Sequence, residues 1–250
     1  MAMAGTPLGK ALSLLEALEN ERGSASLGEV ARTTGVTKPT AHRMLALLEE
    51  RGYVRRLPNR EYALGPRLIT LGDYARGRNT LVTVAGPVLD RLVRQCGETV
   101  HLGVVSGRSL LLVDRREPAD EAVRLAVLPS SLTSLHASAA GKVLLAFGPD
   151  TLLEQVIENG LSRYTAHTIT SSDELRAELR QVCAQGYALN EQERNEGIRA
   201  VAVPVLTADG RCAAALSAAG PIRRLTADGL DRARTLLARG AAEIAAADIR

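Results

Sequence analysis

Hydrogen-bond donors gather at the start of one predicted helix, in the segment GVTKPTAHRMLALLEERGYVRR at residues 35–56. Thr37 is a good N-cap because its hydroxyl can accept a hydrogen bond from an amide of the first turn. Pro39 costs little there, since its missing N–H would have no intrahelical partner. The spacing predicts a helix over residues 38 to about 51, followed by Gly52 in the left-handed conformation.

The exposed side of this helix suits contacts with base edges in the major groove of DNA. Apolar residues at helical spacing form its predicted buried stripe: Ala41, Met44, Leu45 and Leu48. At 100° per residue, Arg43 lies opposite that stripe, with Thr40 and His42 beside it. A helix that enters the groove end-on needs donors at its N-terminal end. The candidate DNA-contacting residues of this helix are Thr37, Lys38, Pro39, Thr40, His42 and Arg43.

The flanking segments supply the elements that must position this helix. Ser26 and Glu29 match the S-x-x-E capping box, and Gly35 supplies the turn between two short helices, as in a helix-turn-helix. Downstream, two short strands around Pro58 and Asn59 predict a hairpin. Upstream, residues 10–19 predict another helix, whose inward residues are Leu12, Leu15 and Leu18.

These elements together predict a winged helix-turn-helix domain. The hairpin carries three arginines suited to DNA phosphates: Arg55, Arg56 and Arg60. The helix pair alone fits equally well a small helical domain with solvated charges, and the basic hairpin favours DNA binding. Residues 32–60 contain seven basic and two acidic side chains, a net charge of +5. Residues 81–250 contain 19 basic and 20 acidic side chains, a net charge of −1. Positive charge is therefore concentrated where a phosphate-facing surface needs it, although the whole chain has a net charge of only +3.

The composition excludes several other classes of protein. Aromatic residues make up 2% of the chain and tryptophan is absent, which argues against base-stacking platforms for single strands; the expected partner is double-stranded operator DNA. Cys96, Cys183 and Cys212 form no CxxC pair, so no disulfide framework, metal site or cofactor is expected. No run of 18 apolar residues predicts a membrane span. Glu16 lies within the first apolar run, which argues against a signal peptide. The expected location is the cytoplasm.

The chain of 250 residues is long enough for two domains. A helix at residues 66–79 is predicted to connect a DNA-binding domain at residues 1–65 with a second domain at residues 80–250. One recognition helix covers too few base pairs for genomic specificity, so the sequence predicts at least a homodimer. The connecting helix has an apolar stripe that suits pairing with a second copy: Leu68, Ile69, Leu71 and Ala75.

The second part of the chain has the pattern of an α+β domain. Strand pairs are predicted around the turns at residues 106–107 and 209–210, and a further strand at residues 122–128. Helices are predicted at residues 139–147, 172–185 and 226–247. This order predicts a central antiparallel sheet flanked by helices.

One segment of that domain, LHASAAGKVLLAF at residues 135–147, superficially matches a nucleotide phosphate loop. A phosphate loop needs glycine five residues before Gly141 and Ser or Thr after the lysine, where this chain has His136 and Val143. A loop of small residues that opens a helix can still bring amide groups and the positive end of the helix dipole close to an anion. The same small residues are equally suited to close packing.

The sequence resembles the IclR family of bacterial transcriptional regulators over nearly its whole length. The matching segments are TKPTAHRMLALLEERGYV, YALGPRL, LHASAAGKVLLAF, GYALNEQERNEGIRAVAVPV and ALSAAGPIRRLT. The resemblance implies a GAF-like effector-binding domain that holds a small organic molecule, often a carboxylic acid. It also implies a dimer, or a dimer of dimers, on operator DNA.

Carried over residue by residue, the resemblance places the effector site on small and polar side chains. A position often acidic in relatives is Asn190 here, and a loop position that is glycine in some members is Ala139. The expected acid-binding amides lie around Ala139 to Gly141, with Ser217 as a further donor. The full set of expected effector-binding residues is Ala139, Ala140, Gly141, Asn190, Ala200, Ser217 and Ala219.

The alternative function is an enzyme acting on a small organic acid, with an accessory DNA-binding module. Three histidines are scattered through the second part, and three glutamates flank one turn: His101, His136 and His167, and Glu191, Glu193 and Glu196. No nucleophile and base stand at a recognisable spacing. A histidine bonded to Glu193 inside a closed cavity would favour the enzyme. The sequence favours a ligand-responsive DNA-binding regulator that is not an enzyme.

Overall fold

The computed structural model of this protein describes residues 6–19, 23–78, 80–118 and 132–247. The chain divides into two units, Met1–Arg78 and Asn79–Arg250, each of which has its own buried core. In the parts of the chain that the structure describes, no helix is both long and apolar enough to cross a bilayer.

The first unit is a winged helix-turn-helix, as predicted. The Ser26 hydroxyl accepts a hydrogen bond from the amide of Glu29, whose carboxylate accepts one from the Ser26 amide, so the capping box is present. Gly35 and Gly52 follow their helices at φ of 68° and 75°, a left-handed backbone that glycine adopts without steric cost. The elements are α1 (Pro7–Ala17), α2 (Leu27–Thr34), α3 (Lys38–Glu50), β1 (Val54–Arg56), β2 (Tyr62–Leu64) and α4 (Pro66–Arg78).

Two details of this unit differ from the prediction. Leu12 is 47% exposed, whereas Leu14 is fully buried, because the inward face of α1 runs through Leu14 and Leu18 at i, i+4 spacing. Thr37 occupies the N-cap position of α3 but makes no capping bond. Its hydroxyl donates instead to the Thr40 hydroxyl at 3.0 Å, so the predicted cap bond is wrong.

The second unit contains a six-stranded antiparallel sheet with helices on both faces. The predicted hairpins at residues 106–107 and 209–210 and the three predicted helices are present, whereas the strand predicted at residues 122–128 lies outside the described residues. The strand order is β5-β4-β3-β8-β7-β6. The elements are α5 (Thr80–Cys96), β3 (Thr99–Ser106), β4 (Ser109–Arg116), β5 (Leu132–Thr133), α6 (Ala139–Ala146), α7 (Asp150–Glu158), α8 (Ser172–Gln185), β6 (Ala188–Glu191), β7 (Ile198–Leu206), β8 (Cys212–Pro221) and α9 (Ala227–Ala246).

Alternating side chains divide this sheet between two apolar cores. Val201 and Leu216 lie in the core formed with α5 and α9. Ala202 and Ala215, their neighbours along β7 and β8, lie in the core formed with α6, α7 and α8. On β6, β7 and β8 this face carries Ala188, Ala202 and Ala215, whose small side chains let the start of α6 approach these strands closely.

Candidate functional site

The predicted DNA-contacting residues lie on exposed parts of the first unit. On α3, Thr40 is half-buried and the rest are exposed: Thr37, Lys38, Pro39, His42 and Arg43. Their exposure fits the predicted stripe, since Ala41 and Leu45 are buried on the opposite side of the helix. The start of α3 therefore presents a hydroxyl, an ammonium, an imidazole and a guanidinium to solvent.

The three arginines of the hairpin are exposed as well. Arg55 and Arg56 are successive residues of β1, so their side chains leave the ribbon on opposite faces. The Arg56 guanidinium lies 5.8 Å from the centre of the Tyr62 ring. Arg60 lies in the turn at φ 66°. A single phosphate strand therefore cannot face Arg55 and Arg56 in the same way.

The predicted effector-binding strand residues share one face of the second unit's sheet. Ser217 of β8 pairs with Ala202 of β7, and two residues further along β8, Ala219 pairs with Ala200. Ala200 in turn pairs with Asn190 of β6. Directly opposed residues lie on the same face, so these positions form two rows beneath the start of α6.

The start of α6 has a capped first turn. Ser138 is the N-cap, and its hydroxyl accepts a hydrogen bond from the Gly141 amide at 3.1 Å. A Cβ at Gly141 would collide with the backbone of Leu135, so this glycine allows close packing. Its amide is not available to a ligand, because it already donates to Ser138. Among the described residues, the amides of Ala139 and Ala140 have no hydrogen-bond acceptor, as is usual for the first turn of a helix.

The side chain of Asn190 joins two loops. Its Nδ2 donates to the carbonyl of Ala137 at 2.7 Å, and its Oδ1 accepts from the amide of Glu193 at 3.0 Å. Both polar atoms are thus occupied within the protein. Asn190 therefore ties the loop before α6 to the segment after β6.

The sequence showed His101 only as one of several scattered histidines, whereas the structure brings it next to Ser217. His101 of β3 pairs with Ser217 and is only 5% exposed. Its Nε2 atom is buried and has no hydrogen-bond partner among the described residues. Burial, followed by the charge of nearby Arg115, lowers the pKa of His101 to about 3. The alternation of β3 could have placed His101 on the same face as Ser217, but only if the pairing of β3 with β8 had been known.

A buried ion cluster accounts for the lysine of the same helix and for Glu193. The Lys142 ammonium lies 2.7 Å from carboxylate oxygens of both Glu178 and Glu193. Burial raises the pKa of Glu193, and Lys142 opposes that shift. The partner of Glu193 is therefore a lysine, whereas the enzyme alternative required a histidine. His136 is bonded to the Ser134 hydroxyl and to the carbonyl of Ser162.

Two family models together match most of the chain. The model described as IclR helix-turn-helix domain matches residues 7–58. The model described as Bacterial transcriptional regulator IclR C-terminal matches residues 75–246. The chain belongs to the IclR family.

Named relatives within the IclR family are similar over most of their length. The HTH-type transcriptional regulator BhcR of Paracoccus denitrificans is 34% identical over 221 residues, which cover 88% of this chain and 78% of BhcR. The transcriptional repressor IclR of Escherichia coli is 28% identical and covers 95% of this chain and 88% of its own. These relatives are transcriptional regulators, and this chain, as a member of their family, is a transcriptional regulator as well. None of them is named as an enzyme, so the comparisons do not support the enzyme alternative.

Solved IclR structures have the same fold. The IclR regulator of Alicyclobacillus acidocaldarius is 30% identical, with a TM-score of 0.87 over 96% of this chain and 97% of its own. An IclR homolog of Microbacterium hydrocarbonoxydans, complexed with 4-hydroxybenzoate, is 26% identical, with a TM-score of 0.80 over 96% of this chain and 98% of its own. The family therefore includes a member with an aromatic carboxylate bound.

Proposed function

We propose that this IclR-family regulator binds double-stranded operator DNA as a homodimer or a dimer of dimers, and that a small carboxylate effector changes its DNA affinity. We assign the domains the roles predicted from the sequence. Residues 1–65 bind DNA, residues 66–79 connect the two domains, and residues 80–250 bind the effector and support oligomerisation. We expect the protein in the cytoplasm, where operator DNA is found.

The donor-rich, exposed start of α3 supports the DNA-binding part of this proposal. Arg43 lies opposite the buried stripe and is expected to contact base edges, while Arg56 of the hairpin is expected to contact a phosphate. Base contacts carry sequence information and phosphate contacts do not. The two arginines should therefore differ in what their removal does.

The experiment begins by selecting a preferred duplex from a random pool. Arg43→Ala should then lose about 1–3 kcal/mol on that duplex and relax sequence preference. Arg56→Ala should weaken binding to all duplexes alike and reduce the salt slope by about 1. Arg51→Ala, at the far end of α3, is the matched control and should change little. Identical behaviour of Arg43→Ala and Arg56→Ala across duplex variants would reject the assignment of the groove.

Exposed apolar side chains on α4 support a dimer. Ile69 is 68% exposed, and Leu71 and Tyr74 are exposed on the same helix. Large apolar side chains grouped on an exposed helix often mark an interaction surface. A second copy of α4 has the complementary stripe, and a two-fold pair of α3 helices matches two half-sites of an operator.

The small-residue floor beneath α6 supports the effector site. The open amides of Ala139 and Ala140 lie at the positive end of the helix dipole, and the Ser217 hydroxyl lies on the facing strand. The alanines at positions 200 and 219 leave space for the rest of a small molecule. We expect the acid group at the amides and the hydroxyl.

A thermal-shift screen with small aliphatic and aromatic acids, including 4-hydroxybenzoate, tests for an effector. A true ligand should stabilise the folded chain by about 2.7 kcal/mol at a hundredfold excess over its Kd. Ala140→Leu and Ser217→Leu should abolish that response and leave operator binding nearly intact. Loss of operator binding in the same variants would mean that these residues serve the fold.

The effector and the operator must influence each other equally. A coupling of about 1–3 kcal/mol is the usual scale. Reciprocity requires that operator DNA change the Kd of the acid by the same factor by which the acid changes the Kd of the operator. Both constants can be measured on the full chain.

A further inference from the structure

His101 carries a buried polar atom that the fold of the described residues does not satisfy. Its side chain is 95% buried, and Nε2 has no hydrogen-bond partner within the described part of the chain. Buried polar atoms in native proteins nearly always have a partner. The other buried histidine of this unit follows that rule, since both ring nitrogens of His136 are bonded. The described residues therefore leave this atom of His101 without the partner that a buried polar atom normally has.

The register places His101 in a polar row across three strands. It pairs with Ser217 of β8 on one side and with Arg115 of β4 on the other. Directly opposed residues lie on one face, with Cβ atoms about 4.5–5.5 Å apart. The next residue of β4, Arg116, bonds Asp90 of α5, so Arg116 lies on the opposite face of the sheet. The row is thus on the face covered by α6.

The start of α6 belongs to the same buried cluster as this row's neighbours. Ala139 and Ala140 belong to one buried cluster with Ala202 and Ala215, and Ala202 pairs with Ser217. The row of His101 therefore lies on the face of the sheet that the start of α6 covers. The α6 amides and this row are independent sources of hydrogen-bond donors for one ligand.

The charges around His101 suit an anion. Its imidazole is neutral near pH 7 because burial and the nearby Arg115 disfavour the protonated form. A neutral imidazole has one N–H donor and one acceptor nitrogen. The Arg115 guanidinium, which is paired with Glu117, also disfavours a second positive charge on the His101 ring. With its proton on Nε2, the neutral ring can donate this buried N–H to an anionic acceptor.

We propose that His101 is an effector-recognition residue, whose Nε2–H donates a hydrogen bond to the carboxylate of the bound molecule beside the Ser217 hydroxyl. This inference rests on the proposed effector function of the second unit. It adds a side-chain donor on β3 to a site otherwise formed by α6, β6, β7 and β8. The His101 donor is a side chain, whereas the α6 donors are backbone amides. A substitution at position 101 can therefore remove the His101 donor and leave the α6 donors in place.

Isothermal titration of the full chain with acids from the screen, each with its uncharged primary amide, tests the proposal. His101→Phe should weaken the best acid at least tenfold, and His101→Gln, which keeps a donor, should restore part of that loss. His136→Gln is the matched control and should leave acid affinity unchanged. Operator binding by the ligand-free variants should remain, which shows that they fold.

Nitrogen NMR of the wild-type chain gives a readout that needs no variant. A carboxylate on Nε2 should shift its resonance and raise the pKa of His101, whereas the amide analogue should do neither. Unchanged acid affinity in His101→Phe, or an equal loss in His136→Gln, would overturn the role of His101 and leave the proposed effector function intact. Failure of every acid to bind the wild-type chain would overturn both.

Discussion

Acidification should destabilise the second unit through His101. Burial and Arg115 lower the folded-state pKa of His101 to about 3, against an ordinary value of 6.5. Because the folded-state pKa is depressed, only the unfolded chain takes up the proton between these values, so stability falls as the pH falls below 6.5. At pH 5 the difference is about 1.5 pH units, and each unit corresponds to about 1.4 kcal/mol. The expected loss between pH 7 and pH 5 is about 2 kcal/mol.

Urea unfolding of the wild-type chain and of His101→Gln, followed by circular dichroism at pH 7, 6 and 5, measures this contribution. Burial also lowers the pKa of His136 and raises that of Glu193, and these two residues are retained in the variant. The difference in pH dependence between the two proteins therefore isolates His101. The wild-type chain should lose about 2 kcal/mol more than the variant. Equal losses would show that His101 is not held neutral by burial, and the reasoning would fail.

Three further substitutions test other parts of the structure. Lys142→Met leaves two carboxylates without their cation and should destabilise the chain by about 3–5 kcal/mol in urea unfolding. Adding Glu193→Gln to this variant should restore part of that stability. An unchanged stability of Lys142→Met would mean that the cluster is not buried in solution. Leu71→Glu should weaken self-association in analytical ultracentrifugation and leave the unfolding midpoint nearly unchanged, and an unaltered dimer would exclude this part of α4 from the interface. Asn190→Asp removes the donor to the Ala137 carbonyl and should weaken the best acid in titration calorimetry by releasing the loop before α6, and unchanged affinity would show that this bond does not hold the loop for the ligand.

Local signals predicted much of the fold. The capping box at Ser26 and the left-handed glycines at positions 35 and 52 depend on neighbours within a few residues, so the sequence contains their cause. The hairpin turn at Asp209 and Gly210 is local in the same way. The family resemblance supplied the identity of the second unit, which periodicity alone did not.

Features that depend on distant contacts were missed or predicted wrongly. The strand β6 has only four residues and is defined by pairing with β7, which a short apolar segment does not reveal. Thr37 has the right residue type for a cap, but its hydroxyl bonds Thr40 instead. His101 appeared as one of several scattered histidines because its environment depends on the register of β3 against β4 and β8.

The position often acidic in relatives, Asn190 here, bears on the charge of the effector. Its Nδ2 donates to the Ala137 carbonyl, a bond that an ionised carboxylate cannot make because it has no proton to donate. An aspartate would also add a negative charge next to the amides of Ala139 and Ala140. The amide of Asn190 thus fixes the loop without opposing an anion. Asn190 and the His101 imidazole on β3 of the same sheet thus offer uncharged donors on this side, and neutral donors can bind a carboxylate without a cation.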